Sequence, residues 1–171
     1  MAQMSLRAIG PYPGRTHRFY RGMPPLYPFG HGLSYLRCLT QITAVAPHPA
    51  RIPSSTARWS DAPMLRRATV AEVTVRVTPI GGALSDQVVL LFARPPRGSD
   101  GGAPRQLLVA FTRLARLSPS QKAAEVKLTV SALSLSFAQD DADGTRILPR
   151  GTWELWVGPK PLRRDVTTLQ L

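Results

Sequence analysis

The chain has 171 residues and a formal net charge of +12, from 22 Lys and Arg against 10 Asp and Glu. A domain typically has about 100 to 200 residues, so this length admits one compact domain with a tail or linker and excludes a large two-domain enzyme. Hydrophobic residues make up 43% of the chain, which is enough for a folded core. No apolar run approaches the ~20 residues that cross a bilayer, which excludes a membrane-spanning helix.

The positive charge is spread along the chain and not collected in one segment. Of the 22 basic residues 19 are Arg, and they run from Arg7 to Arg164 with no cluster longer than a pair. A nucleic-acid-binding stripe is expected to cluster its charges. We therefore favour a solvated basic surface and keep nucleic-acid binding as an alternative. Met1 to Pro13 lacks the apolar core of a secretory signal, so we expect that this chain does not export itself.

The composition divides the chain into three stretches. Residues 1–36 are rich in Gly, Pro, Tyr and Phe, and residues 37–65 combine a first strand candidate with a linker of Pro, Ala and Ser. Residues 66–171 have a strand-like pattern nearly throughout. No segment predicts an amphipathic helix of substantial length.

The third stretch begins with two different strand patterns. Val73, Val75 and Val77 alternate with polar residues, as in a strand with one buried face. The run Val88–Phe92 is continuously apolar, which predicts a central strand covered on both faces.

Further strands are predicted towards the end of the chain. An apolar segment with interleaved Arg ends at the Ser118–Ser120 turn, and the run EVKLTV then directs Val126, Leu128 and Val130 inward. The run LSLSF repeats this alternation at Leu133, Leu135 and Phe137. In the next strand, Trp153, Leu155 and Val157 face one side, and Thr152, Glu154 and Trp156 face the other. A last strand is predicted at Val166–Leu171. About seven short strands at these spacings are typical of a β-sandwich.

Two motifs in the first stretch resemble a known enzyme family. GRTHRFY (Gly14–Tyr20) and YPFGHGLSY (Tyr27–Tyr35), preceded by Met4, Arg7 and Tyr12-Pro13, resemble the end of the α/β domain of family 3 glycoside hydrolases, the β-glucosidases and β-xylosidases. The approach to the motifs is similar to the plant-type β-xylosidase and arabinofuranosidase branch. The later strands resemble the fibronectin type III-like domain that follows in this family, in the same order.

The resemblance implies a mainly β chain, in which a fibronectin type III-like sandwich of the immunoglobulin type follows a non-globular remnant of an α/β domain. Residues 1–36 would be that remnant, 37–65 the first strand candidate and linker, and 66–171 the sandwich. Three turns depart from the family pattern: Thr78–Gly81, the segment around Ser85-Asp86, and Ser118–Ser120. Each loses a Gly that supplies positive φ, so another turn type or some strain is expected there.

No catalytic residues are predicted in this chain. Retaining glycosidases need two carboxyl groups about 5 to 5.5 Å apart, and the resemblance implies that both lie upstream of the motifs seen here. The only acidic cluster is Asp140, Asp141 and Asp143. Its spacing partly follows a calcium loop, but Arg150 stands where a bidentate Glu is needed, so we interpret it as a solvated turn ending at Gly144.

No cofactor or metal site is predicted either. His17, His31 and His48 lack metal-ligand spacing, and we expect the first two to pack among aromatic rings. Cys38 is the only cysteine and lies in an apolar stretch, so we expect a buried, unreactive thiol.

The densest aromatic group consists of Tyr20, Tyr27, Phe29 and Tyr35. It predicts either a sugar-stacking surface or a packed joint between the preceding domain and the sandwich. We favour the joint, because the resemblance places these residues at the end of a domain that would cover them. Without that domain, an apolar patch should be exposed.

The resulting hypothesis is an accessory fibronectin type III-like domain of a glycoside hydrolase of the β-xylosidase or β-glucosidase type. Its partners are the catalytic domains of the parent in cis and plant-wall oligosaccharides, with no membrane, and the resemblance implies a secreted parent. The chain itself is not expected to be catalytic. Two alternatives remain: a free-standing interaction or carbohydrate-binding module, and a basic nucleic-acid binder.

Overall fold

A computed structural model describes residues 5–48, 61–99, 102–139, 145–161 and 165–171, together with the backbone of residues 56–57. The predicted acidic turn at Asp140, Asp141 and Asp143 lies outside these residues, as does Met4.

The described residues form ten strands and three short helices. The strands are β1 (Leu36–Pro47), β2 (Thr56–Ala57), β3 (Thr69–Gly82), β4 (Ser85–Arg94), β5 (Leu107–Leu117), β6 (Ala124–Ser131), β7 (Phe137–Ala138), β8 (Arg146–Ile147), β9 (Thr152–Val157) and β10 (Thr167–Gln170). The helices are α1 (Thr16–Phe19), α2 (Ala62–Arg67) and α3 (Ala132–Leu135). Within the described part of the chain, no helix is long and apolar enough to cross a membrane.

Seven strands build two antiparallel sheets. The three-stranded sheet has the order β1-β3-β6, and the four-stranded sheet has the order β10-β9-β4-β5. The strands β2, β8 and β7 form a small third sheet. The predicted β-sandwich is therefore confirmed, and one hydrophobic core joins buried residues of both large sheets, among them Val73, Val75, Val89, Leu91, Trp153 and Leu155.

The alternation predicted for the first strand of the third stretch is confirmed in β3. Val73, Val75 and Val77 are fully buried, and their polar neighbours face away from the core. In β6, Leu128 and Val130 are buried as predicted, but Val126 is only half-buried. This strand lies at the edge of its sheet, where fewer neighbours cover it.

The segment Thr78–Gly81 is not a turn but the continuation of β3. Thr78, Pro79 and Gly81 pair with β1 across a bulge between Arg37 and Cys38. Pro79 has no N–H to donate, which is tolerated here because the pairing of β3 with β6 has already ended at Val77.

The strand predicted for the run LSLSF is wrong. Ala132–Leu135 forms one helical turn, because the Ser131 side chain accepts a hydrogen bond from the Ser134 N–H at 3.2 Å and caps its start. Leu135 and Phe137 are still buried, since both conformations direct them into the core. Only the short β7 at Phe137 remains extended.

The prediction for Val88–Phe92 needs a correction at its start. The strand β4 is central, between β9 and β5, and Phe92 is fully buried although it lies on the face away from the core. Val88, in contrast, is 51% exposed. The outer face of the four-stranded sheet is therefore covered at one end only.

Candidate functional site

The cover on the outer face of the four-stranded sheet comes from residues 5–35, which we call the N-terminal segment. Phe29 packs edge-on against Phe92, with ring centroids 6.1 Å apart, and Phe92 stacks on Trp156 at 5.9 Å. On its other side Phe29 stacks on His17 at 3.9 Å. These four rings form a continuous aromatic column from the segment into the sheet.

Trp156 corrects a second expectation. The alternation of β9 predicted it on the polar side with Thr152 and Glu154, yet it is fully buried. Phe92 and the Arg94 guanidinium, 5.4 Å from the ring centroid, cover it. Its indole N–H has no hydrogen-bond partner in the described residues. The signal was present in the sequence, because TWELWV carries a Trp on both faces of one strand.

Backbone contacts hold the N-terminal segment along the loop between β4 and β5. The Arg105 N–H donates to the Arg18 carbonyl at 2.6 Å, and the Arg105 guanidinium donates to the Tyr20 carbonyl at 2.8 Å. Arg7 donates to the carbonyls of Gly102 at 3.1 Å and Ala138 at 2.8 Å. The segment is thus fixed to the sandwich by hydrogen bonds as well as by rings.

Basic side chains surround the buried part of the segment. Arg7 and Arg18 lie over the Phe19 ring at 5.6 and 5.5 Å. Burial lowers the pKa of the Arg18 guanidinium, and the nearby Arg146 and Arg7 lower it further. Burial also lowers the pKa of His17, with a smaller contribution from the charge of Arg18. Such an environment favours the neutral form of His17. The prediction that its ring packs among aromatic rings is confirmed by its stacking on Phe29.

The predicted aromatic group does not form one cluster. Phe29 is the anchor, Tyr20 contributes its carbonyl, and Tyr27 and Tyr35 are largely exposed. Tyr27 contacts only the ring of His31, at 5.0 Å, among the described aromatic contacts. The segment therefore has one side on the sheet and one side in solvent.

Part of the solvent-exposed surface of the segment, between residues 23 and 35, is apolar. Apart from Phe29, the large apolar side chains in this part are more than half exposed, and Leu33 is 98% exposed. The exposed apolar patch comprises Met23, Leu26, Tyr27, Leu33 and Tyr35. A patch of this kind marks an interaction surface.

Four carboxylates in the described residues belong to ion pairs. They are Glu72 with Lys127, Asp86 with Arg113, Glu125 with Arg76, and Glu154 with Arg94. No group of three His, Cys, Asp or Glu side chains arranged for a metal ion occurs among the described residues.

Cys38 departs from the expectation of a buried thiol. It is only half-buried, because it lies on the edge strand β1 beside the bulge. Burial still raises the pKa of its thiol, which keeps it in the less reactive protonated form.

A positive φ at a non-glycine residue occurs within β5, where a register shift opposite Ser85–Gln87 precedes the Ser118–Ser120 turn. The Gln121 N–H donates to the Ser118 carbonyl at 3.1 Å, which confirms the predicted turn at Ser118–Ser120. The left-handed residue is Arg116, with φ +52°, and its N–H donates to the Asp86 carboxylate at 2.8 Å. That hydrogen bond, with a second from Arg113, lowers the pKa of Asp86.

Comparison with known proteins first defines the class of the domain. Residues 87–160 match the model of the fibronectin type III-like domain. The structure extends this sandwich beyond the matched residues, because β1 and β3 form most of the facing sheet.

The relatives then define the enzyme family. The chain is 32% identical to probable β-D-xylosidase 7 of Arabidopsis thaliana, over 95% of this chain and 22% of that protein. It is 34% identical to a probable exo-1,4-β-xylosidase of Aspergillus clavatus, over 89% of this chain and 19% of that protein. A solved family 3 exo-β-xylosidase matches 98% of this chain and 21% of its own, with 26% identity and a TM-score of 0.74.

The chain is thus homologous to the C-terminal region of family 3 glycoside hydrolases and contains their fibronectin type III-like accessory domain. It spans about a fifth of the length of the curated relatives that it matches. In these relatives the domain is part of a larger enzyme.

Proposed function

We propose that this chain acts as the accessory module of a family 3 glycoside hydrolase that removes terminal β-linked xylose from plant-wall oligosaccharides. The parent's other possible terminal sugars are glucose and arabinose. The catalytic carboxylates belong to domains of the parent that precede this region, and the 171-residue chain alone does not hydrolyse glycosides.

The two-sided N-terminal segment is the observation that carries this proposal. One side is anchored to the sheet by Phe29, and the other side exposes the apolar patch around Leu33. This arrangement fits a joint in which the N-terminal segment completes the preceding α/β domain, while β1 and the strands of residues 66–171 form the sandwich. Burying the patch against that domain would give the joint its stability, since apolar area removed from water stabilises by about 25 cal/mol per Å².

Immunodepletion tests the proposal in the natural protein. An antibody raised against the sandwich is used to deplete an extract of the source cells, and release of 4-nitrophenol from 4-nitrophenyl β-D-xylopyranoside is measured in both fractions. We expect the activity to leave the supernatant with the precipitated protein. The recombinant 171-residue chain serves as the inactive control.

The proposal fails if the precipitated protein is inert on aryl β-xylosides, β-glucosides and α-arabinofuranosides while the supernatant keeps its activity. In that case a free-standing binding module becomes the better account.

A further inference from the structure

A cleft of about 650 Å³ lies where the N-terminal segment meets the loop between β4 and β5. It is lined by three arginines, three prolines and two small residues: Arg21, Arg94, Pro95, Pro96, Ser99, Ala103, Pro104 and Arg105. Its described lining contains no carboxylate. The volume lies within the ~300 to 1,000 Å³ typical of small-molecule sites.

Two of the three guanidinium groups are held in place. Arg94 donates to Glu154 at 2.7 Å and to the Arg105 carbonyl at 3.4 Å, and it stacks on Trp156. Arg105 donates to the Tyr20 carbonyl at 2.8 Å. A guanidinium has five N–H donors, so both side chains keep donors for a ligand. Little conformational entropy would be lost when they bind one.

Arg21 differs from the other two arginines, because its guanidinium makes no contact of this kind among the described residues. Its backbone N–H donates to the Pro13 carbonyl at 2.7 Å, which fixes its position in the chain. Its side chain is exposed and has no hydrogen-bond or ion-pair partner among the described residues. A substitution of Arg21 therefore removes a charge from the cleft without removing a described structural contact.

The lining combines two kinds of contact. The planar guanidinium matches a carboxylate with two parallel hydrogen bonds. The rings of Pro95, Pro96 and Pro104 offer flat apolar surface beside these charges, and the C–H faces of sugar rings are a suitable partner for such surface.

We infer that this cleft binds an oligosaccharide that bears a carboxylate group, such as a uronic-acid side branch. The inference rests on the proposed function for the sugar class. For the negative charge it rests on Arg21 and Arg105, since Arg94 is already ion-paired with Glu154. Sugar rings would lie along the prolines while the carboxylate is bound by Arg21 and Arg105. The site would hold branched acidic chains near the parent's catalytic domains.

The test is calorimetric titration of the full 171-residue chain at low ionic strength. The probes are a xylotetraose that carries one glucuronic acid, neutral xylopentaose, sodium phosphate and a short DNA duplex. The variants are Arg21→Ala, Arg21→Lys and, as a control of equal charge, Arg67→Ala, which lies exposed on α2 away from the cleft.

We expect the acidic probe to bind at least about tenfold more tightly than the neutral one, as a charge-assisted hydrogen-bond pair provides. Arg21→Ala should weaken it about tenfold, Arg21→Lys should restore only part of this, and Arg67→Ala should leave it unchanged.

Three results would overturn the inference. They are equal binding of the acidic and neutral probes, binding of phosphate as tight as that of the acidic probe, and DNA binding that Arg21→Ala and Arg67→Ala weaken alike. Because no hydrolysis is measured, a negative result leaves the proposed glycosidase parent intact and removes only this site.

Discussion

Gly82 ends β3 with a backbone that only glycine adopts without strain. Its φ is +109°, and a Cβ at this position would collide with the carbonyl oxygen of Tyr35. Gly98 also has a positive φ, +82°, but a Cβ there would meet no atom within 4 Å. Substituting each glycine by alanine therefore separates the cost of backbone strain, present at both positions, from the cost of steric overlap, present only at Gly82.

Gly82→Ala is expected to lower the free energy of unfolding by about 3 kcal/mol, since a left-handed residue costs roughly 1–2 kcal/mol and backbone overlap adds to it. Gly98→Ala should cost only the strain, about 1 kcal/mol. Urea unfolding of both variants measures this. Equal losses at the two positions would contradict the close approach of Gly82 to Tyr35.

His17 makes the stability of the chain depend on pH. Burial, and secondarily the charge of Arg18, lowers its pKa in the folded state below the ~6.5 of an unfolded chain. The unfolded state therefore binds more protons in this window. The stabilising contribution is fully present above pH ~6.5 and is lost as the pH falls towards the folded pKa.

We expect His17→Phe to flatten the profile of melting temperature between about pH 7.5 and 5, because the ring still stacks on Phe29 but no longer binds a proton. The matched control is His48→Gln, at an exposed position directly after β1, which should keep the slope of the unmodified chain. A slope unchanged in His17→Phe and lost in His48→Gln would contradict the assignment.

At the scale of elements, Phe29 is the ring through which the N-terminal segment packs on the four-stranded sheet, beside the hydrogen bonds of Arg7 and Arg105. Phe29 is 46% exposed, yet it touches both His17 and Phe92. The segment has no strand pairing with the sheet, since its only bridge joins Ile9 to Tyr12 within the described residues. Losing this ring should release the segment while the sandwich stays folded.

Phe29→Ala is therefore expected to lose hydrogen-exchange protection at the Arg21 and Arg105 amides, which donate to Pro13 and Arg18, and to keep it in β3. Phe111→Ala is the matched control, because Phe111 is 70% exposed on β5 and belongs to none of the described ring contacts. Exchange that rises throughout both sheets, or not at all, would contradict the anchoring role of Phe29.

The elements also explain which parts of the fold could be predicted. Val73, Val75 and Val77 were predictable because burial of one strand face leaves a period of two in the sequence. LSLSF was mispredicted because the helical turn still buries Leu135 and Phe137, while it leaves Leu133 half-buried, and the Ser131 cap decided between the two conformations. Trp156 was missed because its cover is Phe92, which is itself covered by Phe29, far away in the chain.

At the scale of the whole molecule, the N-terminal segment contributes both to an exposed apolar patch, which the sequence predicted, and to an arginine-lined cleft, which it did not. The exposed apolar patch lies on one side of the N-terminal segment, while Arg21 leads into the arginine-lined cleft. The motifs in the segment allowed the family to be predicted, but the cleft depends on Arg21 of the segment meeting the connection between β4 and β5. Only the fold brings Arg21, Arg94 and Arg105 together.

The central claim is that this sandwich works as part of a larger glycosidase. The most direct measurement is the mass of the protein in an extract of the source cells, detected with an antibody against the sandwich. The account predicts a single band several times heavier than 18.7 kDa. A band near 18.7 kDa, with none heavier, would contradict it.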